Sequence, residues 1–400
     1  MDIYDESVDL HKKLKGKLEV ISKIKIKDKH DLSLAYTPGV AQVCQEIAQD
    51  PQKAYDLTIK NNTVAIISDG SAVLGLGNIG PYAAIPIMEG KALLFKEYAG
   101  IDAFPITVQT QNSFEIINLV KNISPVFAGV NLEDISAPRC FEIEEALQDI
   151  GIPVFHDDQH GTAIVLLAAL INAAKLAQKD IKSLKVVISG AGAAGAAIAN
   201  LLLCVGHDPR VCEPVKEIIA VDSHGILSKN RTDIENNPWK MRLANITNRH
   251  NIEGSLEHAL EGADVFIGVS KANALKPEWI SKMAEKPIIF AMANPTPEIM
   301  PDIAKKAGAF IIGTGRSDFP NQVNNVLAFP GVFRGAINVR AKQISNGMKI
   351  AAAFALAECV KNLSIDNILP SALDKNVPQV IAKEVARVWE EEKAAASSSI

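Results

Sequence analysis

The five residues HDDQH bring His156, Asp157, Asp158 and His160 together along the chain. Two histidines four apart on one helix face, with a carboxylate between them, hold zinc and activate water in metal-dependent hydrolases. That arrangement requires all five residues to be helical. Here the β-type run IPVF leads into His156, and Gly161 precedes the next helical pattern. His156 is therefore expected to end a strand, and the two imidazoles diverge. Carboxylates at a strand end suit a hard, oxygen-seeking ion better. NLED supplies Glu133 and Asp134 at the end of another strand-like run. Glu133, Asp134 and Asp158, with no thiol among them, favour Mg2+ or Mn2+ with positions open for a chelating substrate. The same residues could also be helix caps and ion-pair partners, and spacing does not decide between the two.

The glycine pattern GxGxxG occurs twice. GAGAAG follows the strand-like KVVIS directly and opens the helical AAIANLLLC. In that order the glycines let backbone N–H groups and a helix N-terminus hold a pyrophosphate. Gly190, Gly192, Ala193, Ala194 and Gly195 are the expected dinucleotide contacts. Asp222 ends the next strand, EIIAVDS, where a carboxylate accepts from ribose hydroxyls. The interval is long, and HDPRVCEPVKE reads as an inserted loop. The second match, GLGNIG at Gly75, Gly77 and Gly80, is separated from its strand by DGSAVL and is followed by Pro81. It is not expected to open a helix under a dinucleotide, and more simply lets backbone approach something small.

These residues need elements to position them. TVAIISDGS, AFPITVQT and SPVFAGVNLED read as strands, FEIEEALQDIG as an amphipathic helix and IPVFHDD as a further strand. TAIVLLAALINAAKLA is apolar on nearly every face and is expected to be a deeply buried helix. KVVISG, EIIAVDS, DVFIGVS, KPIIFAMAN and GAFIIGTG then alternate with helical segments, the pattern of a parallel doubly wound sheet. The fold class is α/β with two domains. An N-terminal α/β unit that carries the acidic residues covers 1–160. A Rossmann-type dinucleotide domain covers 161–390, and a low-complexity tail over 391–400 is expected to be frayed.

Composition narrows the partners. A net charge of −5 and a pI of about 6.0 give no reason to expect a polyanion, so no nucleic acid partner is expected. Eight lysines fall between residues 12 and 29 without arginine or aromatic neighbours, as on a solvated surface. The uncharged stretch 186–206 is long enough to span a bilayer, but it lacks GxxxG spacing and basic flanks, so no membrane partner is expected. The five cysteines, at 44, 140, 204, 212 and 359, form no CxxC pair and suit reduced cytoplasmic thiols.

Eight segments stand in the order seen in malic enzymes: AYTPGVA, DGSAVLGLGNIG, EGKALLF, NLEDI, VFHDDQHGTA, GAGAAG, ANPTPE and NNVLAFPG. The match runs from about residue 30 to 340 and resembles the short-subunit bacterial form. The resemblance implies oxidative decarboxylation of L-malate to pyruvate and CO2 with NAD, NADP being possible, and decarboxylation of oxaloacetate. It implies Glu133, Asp134 and Asp158 as metal ligands, Lys91 as general base and Tyr36 as general acid. Asn294 and Asn325 resemble amides that hold malate and the neighbouring cofactor, and Asp157 a group that tunes Lys91 or the metal shell. A base of this kind needs its pKa lowered by burial or a nearby cation.

One position departs from the family. Larger members carry an arginine where this chain has Ala72, and no arginine precedes Arg139. The substrate's distal carboxylate must then be met by the Gly-rich loop, Ser71, Lys91 or a residue of a second subunit. A homodimer is the prior for such chains. Asp222 as a like charge to a 2′-phosphate predicts a preference for NAD over NADP. Two other readings fit the fold: a two-domain dehydrogenase acting on another substrate, and a non-catalytic nucleotide sensor. Neither requires the acidic trio.

Overall fold

The structure is a computed structural model that describes residues 3–73, 76–207 and 212–397. Four parallel strands form the first sheet: β1 (Thr63–Ser68), β2 (Asp102–Thr107), β3 (Gly129–Leu132) and β4 (Val154–His156). Their order is β2-β1-β3-β4. The second sheet contains β5 (Lys185–Ser189), β6 (Glu217–Asp222), β7 (Gly225–Ile226), β8 (Val265–Gly268), β9 (Ile288–Ala291) and β10 (Ile311–Thr314). Its order is β10-β9-β8-β5-β6-β7, with only β7 antiparallel. Strands buried on both faces read as unbroken apolar runs, which is why VAII, KVVIS and EIIAVD are legible in the sequence. In both sheets the chain reverses its direction of travel beside the first strand. The carboxyl ends on either side of that reversal are where such sheets hold ligands.

The Asp157–Ala177 helix lies between the sheets, and the boundary drawn at 160 falls inside it. It starts directly after β4, earlier than the apolar pattern suggests, because Asp157 and Asp158 occupy its first turn, where carboxylates offset the helix dipole. Gly161 is therefore inside the helix. A Cβ there would lie 1.8 Å from Asp157 Oδ1, so only glycine lets that carboxylate fold back over the turn. The helix is long and apolar enough to cross a bilayer, yet it is mostly buried inside the protein, as a core helix is. The 186–206 stretch divides into β5 and the Ala193–Leu202 helix.

The C-terminal helices close back over the first sheet. Phe329 and Phe333, from the Phe329–Asn338 helix, meet Phe95 with ring centroids 4.7 and 5.2 Å apart. Phe333 also meets Phe155 on β4 at 5.8 Å. The Val377–Ser397 helix packs on these in turn. Residues 391–397 are thus helical rather than frayed, as their Ala, Glu and Lys content favours, while 398–400 lie outside the described residues.

Two further expectations change. Gly80 opens the Gly80–Ala99 helix with Pro81 in its first turn, a position where the missing N–H costs nothing. Gly75 lies outside the described residues. Cys204 and Cys212 are joined in a disulfide rather than reduced. The end of the Ala193–Leu202 helix and the returning loop bring their Cα atoms to 5.8 Å, within bonding range. Residues 208–211 of that loop lie outside the described set.

Candidate active site

Loops from three strands of the first sheet converge at their carboxyl ends. Asp69 and Ser71 follow β1, Glu133 and Asp134 follow β3, and Asp157 and Asp158 follow β4. Glu133, Asp134 and Asp158 each offer a carboxylate oxygen within 4.8 Å of the others. Asp134 holds a left-handed backbone with φ of 54°, and its N–H donates to Asp158 Oδ2 at 2.9 Å. Aspartate is among the side chains that adopt this region most readily. Asn131, on β3, donates to Glu133 Oε2 at 2.7 Å and orients that carboxylate.

Lys91 reaches this group from the Gly80–Ala99 helix. Its Nζ lies 2.5 Å from Asp157 Oδ2 and 3.0 Å from Glu133 Oε1, over the face of Phe329. Burial alone would lower its pKa, but the charges of Asp157 and Glu133 outweigh burial and hold the ammonium above its ordinary value. The expected lowering is thus absent while the carboxylates stand uncompensated. Burial raises Glu133, Asp157 and Asp158 above the usual carboxylate range in spite of Lys91. Two buried carboxyls and the partly exposed Asp158 around one lysine leave an excess of negative charge. An all-oxygen donor set of that kind fits a hard divalent cation.

The two histidines of HDDQH do not converge on an ion. His160 Nε2 lies 2.9 Å from Glu144, and His156 is fully buried with its backbone N–H donating to the same glutamate at 3.1 Å. Among the described residues the acidic trio is the sole cluster with metal-binding geometry, and it contains neither histidine. A zinc-hydrolase reading of the motif is excluded by that arrangement.

The second sheet presents the glycine fingerprint as anticipated. A Cβ on Gly195 would sit 1.8 Å from the Gly190 carbonyl oxygen, so the Ala193–Leu202 helix can approach β5 only with glycine there. Gly192 is its N-cap and makes no side-chain capping bond, which leaves the first N–H groups of the helix for a phosphate.

Two profiles of one family match the chain: malic enzyme N-terminal domain over residues 15–148, and malic enzyme NAD binding domain over 159–389. The chain belongs to the malic enzyme family. It is 54% identical to the bifunctional malic/malolactic enzyme of Bacillus subtilis (strain 168), across 97% of this chain and 93% of that protein. It is 49% identical to the NADP-dependent malic enzyme of Rhizobium meliloti (strain 1021), across 91% of this chain and 47% of that longer protein. The crystal structure of the NAD-dependent malic enzyme from Thermotoga maritima superposes with a TM-score of 0.90 at 50% identity, covering 95% and 98% of the two chains.

Within this malic enzyme several anticipated residues sit differently from expectation. Asp222 does not stand as an open acceptor. Arg231 donates to both its oxygens, at 2.8 and 3.1 Å, and Lys240 donates to Oδ2 at 2.7 Å. Burial would raise Asp222, yet Arg231 and Lys240 hold it down at about 2. The like-charge argument for NAD is corrected accordingly, because two cations offset the carboxylate. Ser71 is buried and its hydroxyl donates to Asp69 Oδ1 at 2.5 Å while accepting from Arg139 at 2.9 Å. It builds the loop rather than presenting itself to a ligand. Asn325 packs over Gly161 and tempers Asp157. Asn294 is exposed after β9, beside Gly315. Tyr36 is 68% exposed and stands outside this cluster.

Three functional neighbours were not singled out from sequence: Asn131, Arg139 and Glu144. The last left a legible trace. Cys140, Ile143 and Leu147 are fully buried, so at helical spacing Glu144 puts a charge on the apolar face of its own helix.

Proposed function

We propose that this malic enzyme oxidises and decarboxylates L-malate to pyruvate and CO2, with Glu133, Asp134 and Asp158 as cradle for Mg2+ or Mn2+. The observation that carries this is the pairing of that cradle with Lys91. A divalent cation there would polarise the substrate's oxygens and offset the carboxylate charge around the lysine. The nicotinamide, carried by the second sheet, would accept hydride from C2.

The protein's own groups handle the protons. Lys91 Nζ and Asp157 Oδ2 are close enough, at 2.5 Å, to share one proton. Asp157 Oδ2 accepts from Nζ and aims it, and once the charge of the surrounding carboxylates is offset the neutral lysine would take the proton of the substrate's C2 hydroxyl. Asn325 keeps Asp157 aimed at the lysine. Tyr36 returns a proton to C3 once CO2 has left. No residue from 3 to 59 is buried in the single chain, and Ile3, Val20, Ile21, Leu34 and Tyr36 are all strongly exposed. This surface supports a homodimer in which Tyr36 serves the partner's site.

The test is an assay with L-malate and Mn2+ that follows reduced cofactor and pyruvate together, run with NAD and with NADP. We expect equal yields of both products and loss of activity on chelation. Because Arg231 and Lys240 offset Asp222, kcat/KM for the two cofactors should agree within ~10-fold. Full activity in chelator would remove the metal role, and a larger preference for NAD would restore Asp222 as an open acceptor.

A further inference from the structure

The turn from β4 into the Asp157–Ala177 helix has a second face, turned away from Lys91. A cavity of about 560 Å³ lies there. The Arg139–Ala146, Ala193–Leu202, Pro238–Ile246 and Asn346–Glu358 helices surround it. Glu144 and His160 line its inner side, Lys349 and His207 stand beside them, and Trp239 and Arg242 form a wall.

The hydrogen-bond valences of this cavity do not balance. Glu144 is 8% exposed and fully supplied with donors: the His156 N–H at 3.1 Å, Gln159 Nε2 at 3.0 Å and His160 Nε2 at 2.9 Å. A neutral imidazole nitrogen either donates or accepts, never both. Against an ionised Glu144, His160 Nε2 must donate. It is therefore no acceptor for Lys349, whose Nζ lies 3.5 Å away. Among the described residues that nitrogen is the one polar neighbour of the ammonium within hydrogen-bond range. Among the described residues His207 Nδ1 is also buried without a partner. Arg242 lies over the Trp239 ring, 4.6 Å from its centroid, with Glu145 at 3.9 Å as its carboxylate neighbour. Two cations thus stand with an imidazole nitrogen that donates in one of its tautomers, beside a flat aromatic wall.

We propose that this cavity is a binding site for a small organic anion, a carboxylate or phosphate carried on a planar or apolar body. The anion meets Lys349, His207 and Arg242, and the body lies against Trp239. The site is coupled to the catalytic turn through Glu144, which holds the N–H of His156 one residue ahead of Asp157. An occupant that draws Lys349 toward itself alters the field on Glu144 and hence the seating of Asp157 and Asp158. That coupling rests on the function proposed above; the binding does not.

Phenyl phosphate, which has both parts, serves as the probe. Calorimetry on the full chain with saturating NAD and Mn2+ should show saturable binding, with phenol giving none. Each of Lys349→Gln and Arg242→Gln should weaken binding by at least ~10-fold, the effect of losing one charge-assisted contact. Arg242 has a side chain 66% exposed, so its substitution leaves folding intact. No saturable heat, affinity in both variants equal to that of the unmodified protein, or saturable heat only when NAD is left out would overturn the site. Binding without any change in malate kcat/KM would overturn the coupling alone.

Discussion

Two lysines flank one turn, and their surroundings differ: Lys91 is buried among several carboxylates, while Lys349 is half-buried beside one. Lys91 faces Asp157 at 2.5 Å and Glu133 at 3.0 Å, with Asp158 adding a further negative charge. Lys349 faces a single carboxylate, Glu144, that other donors have already satisfied. Desolvation penalises an uncompensated charge heavily in either setting. The first cluster therefore calls for a cation and the second for an anion. The backbone between them is only a few residues long, so one turn can serve both. Unmet charge in the first cluster and unmet hydrogen bonding in the second thus report the sign of the missing partner before its identity.

The comparison predicts a large asymmetry on substitution. Asp158→Asn keeps the side chain's size and removes one charge from the oxygen cradle. We expect kcat/KM for malate to fall at least ~100-fold, since a lost ligand disables both bond-breaking steps. Arg242→Gln, assayed without any added organic anion, should stay within ~3-fold of the unmodified enzyme, because its side chain is 66% exposed and touches no group of the catalytic turn. Equal losses in the two variants would mean that both clusters belong to one catalytic unit.

A second test asks whether each cluster is complete within one chain. The Lys349 cluster is internal, whereas Tyr36 is 68% exposed and lies in a segment that buries nothing. Tyr36→Phe and Lys91→Ala chains should each be nearly inactive alone. If Tyr36 serves the partner's site, a hybrid dimer holds one intact site, and random pairing restores roughly a quarter of the activity. If it serves its own chain, every site in the mixture lacks one group and the mixture stays inactive.

The sequence showed some of this and hid the rest for physical reasons. The five parallel strands of the second sheet were legible because burial on both faces leaves continuous apolar runs. GAGAAG was legible because its strand, glycines and helix are contiguous. Asp222 was located but misjudged, since Arg231 and Lys240 stand 9 and 18 residues further on and meet it only in the folded state. Lys91 was placed correctly among apolar neighbours, yet the carboxylates that raise it come from β3 and β4. The tail read as low in complexity, although the same residues are strong helix formers and extend a packed helix through Ser397.

The smallest expected effect separates the clusters by pH. His207 belongs to the Lys349 side, and burial, with Lys349 assisting, pushes its pKa from 6.5 down to about 4. Between those values the unfolded chain holds one proton more than the folded one. Stability from this group is therefore complete above about 6.5 and falls as pH drops toward 4. A fully buried imidazole shifted that far would contribute ~3 kcal/mol, and half-burial reduces this to ~1–2 kcal/mol. His207→Gln cannot titrate, so its urea midpoint should decline less than that of the unmodified protein between pH 7 and 4.5. The difference should amount to ~1–2 kcal/mol at the acid end and vanish above pH ~7. Parallel curves for the two proteins would show that His207 reaches solvent freely in the folded state, and would take His207 from the groups proposed to meet the anion.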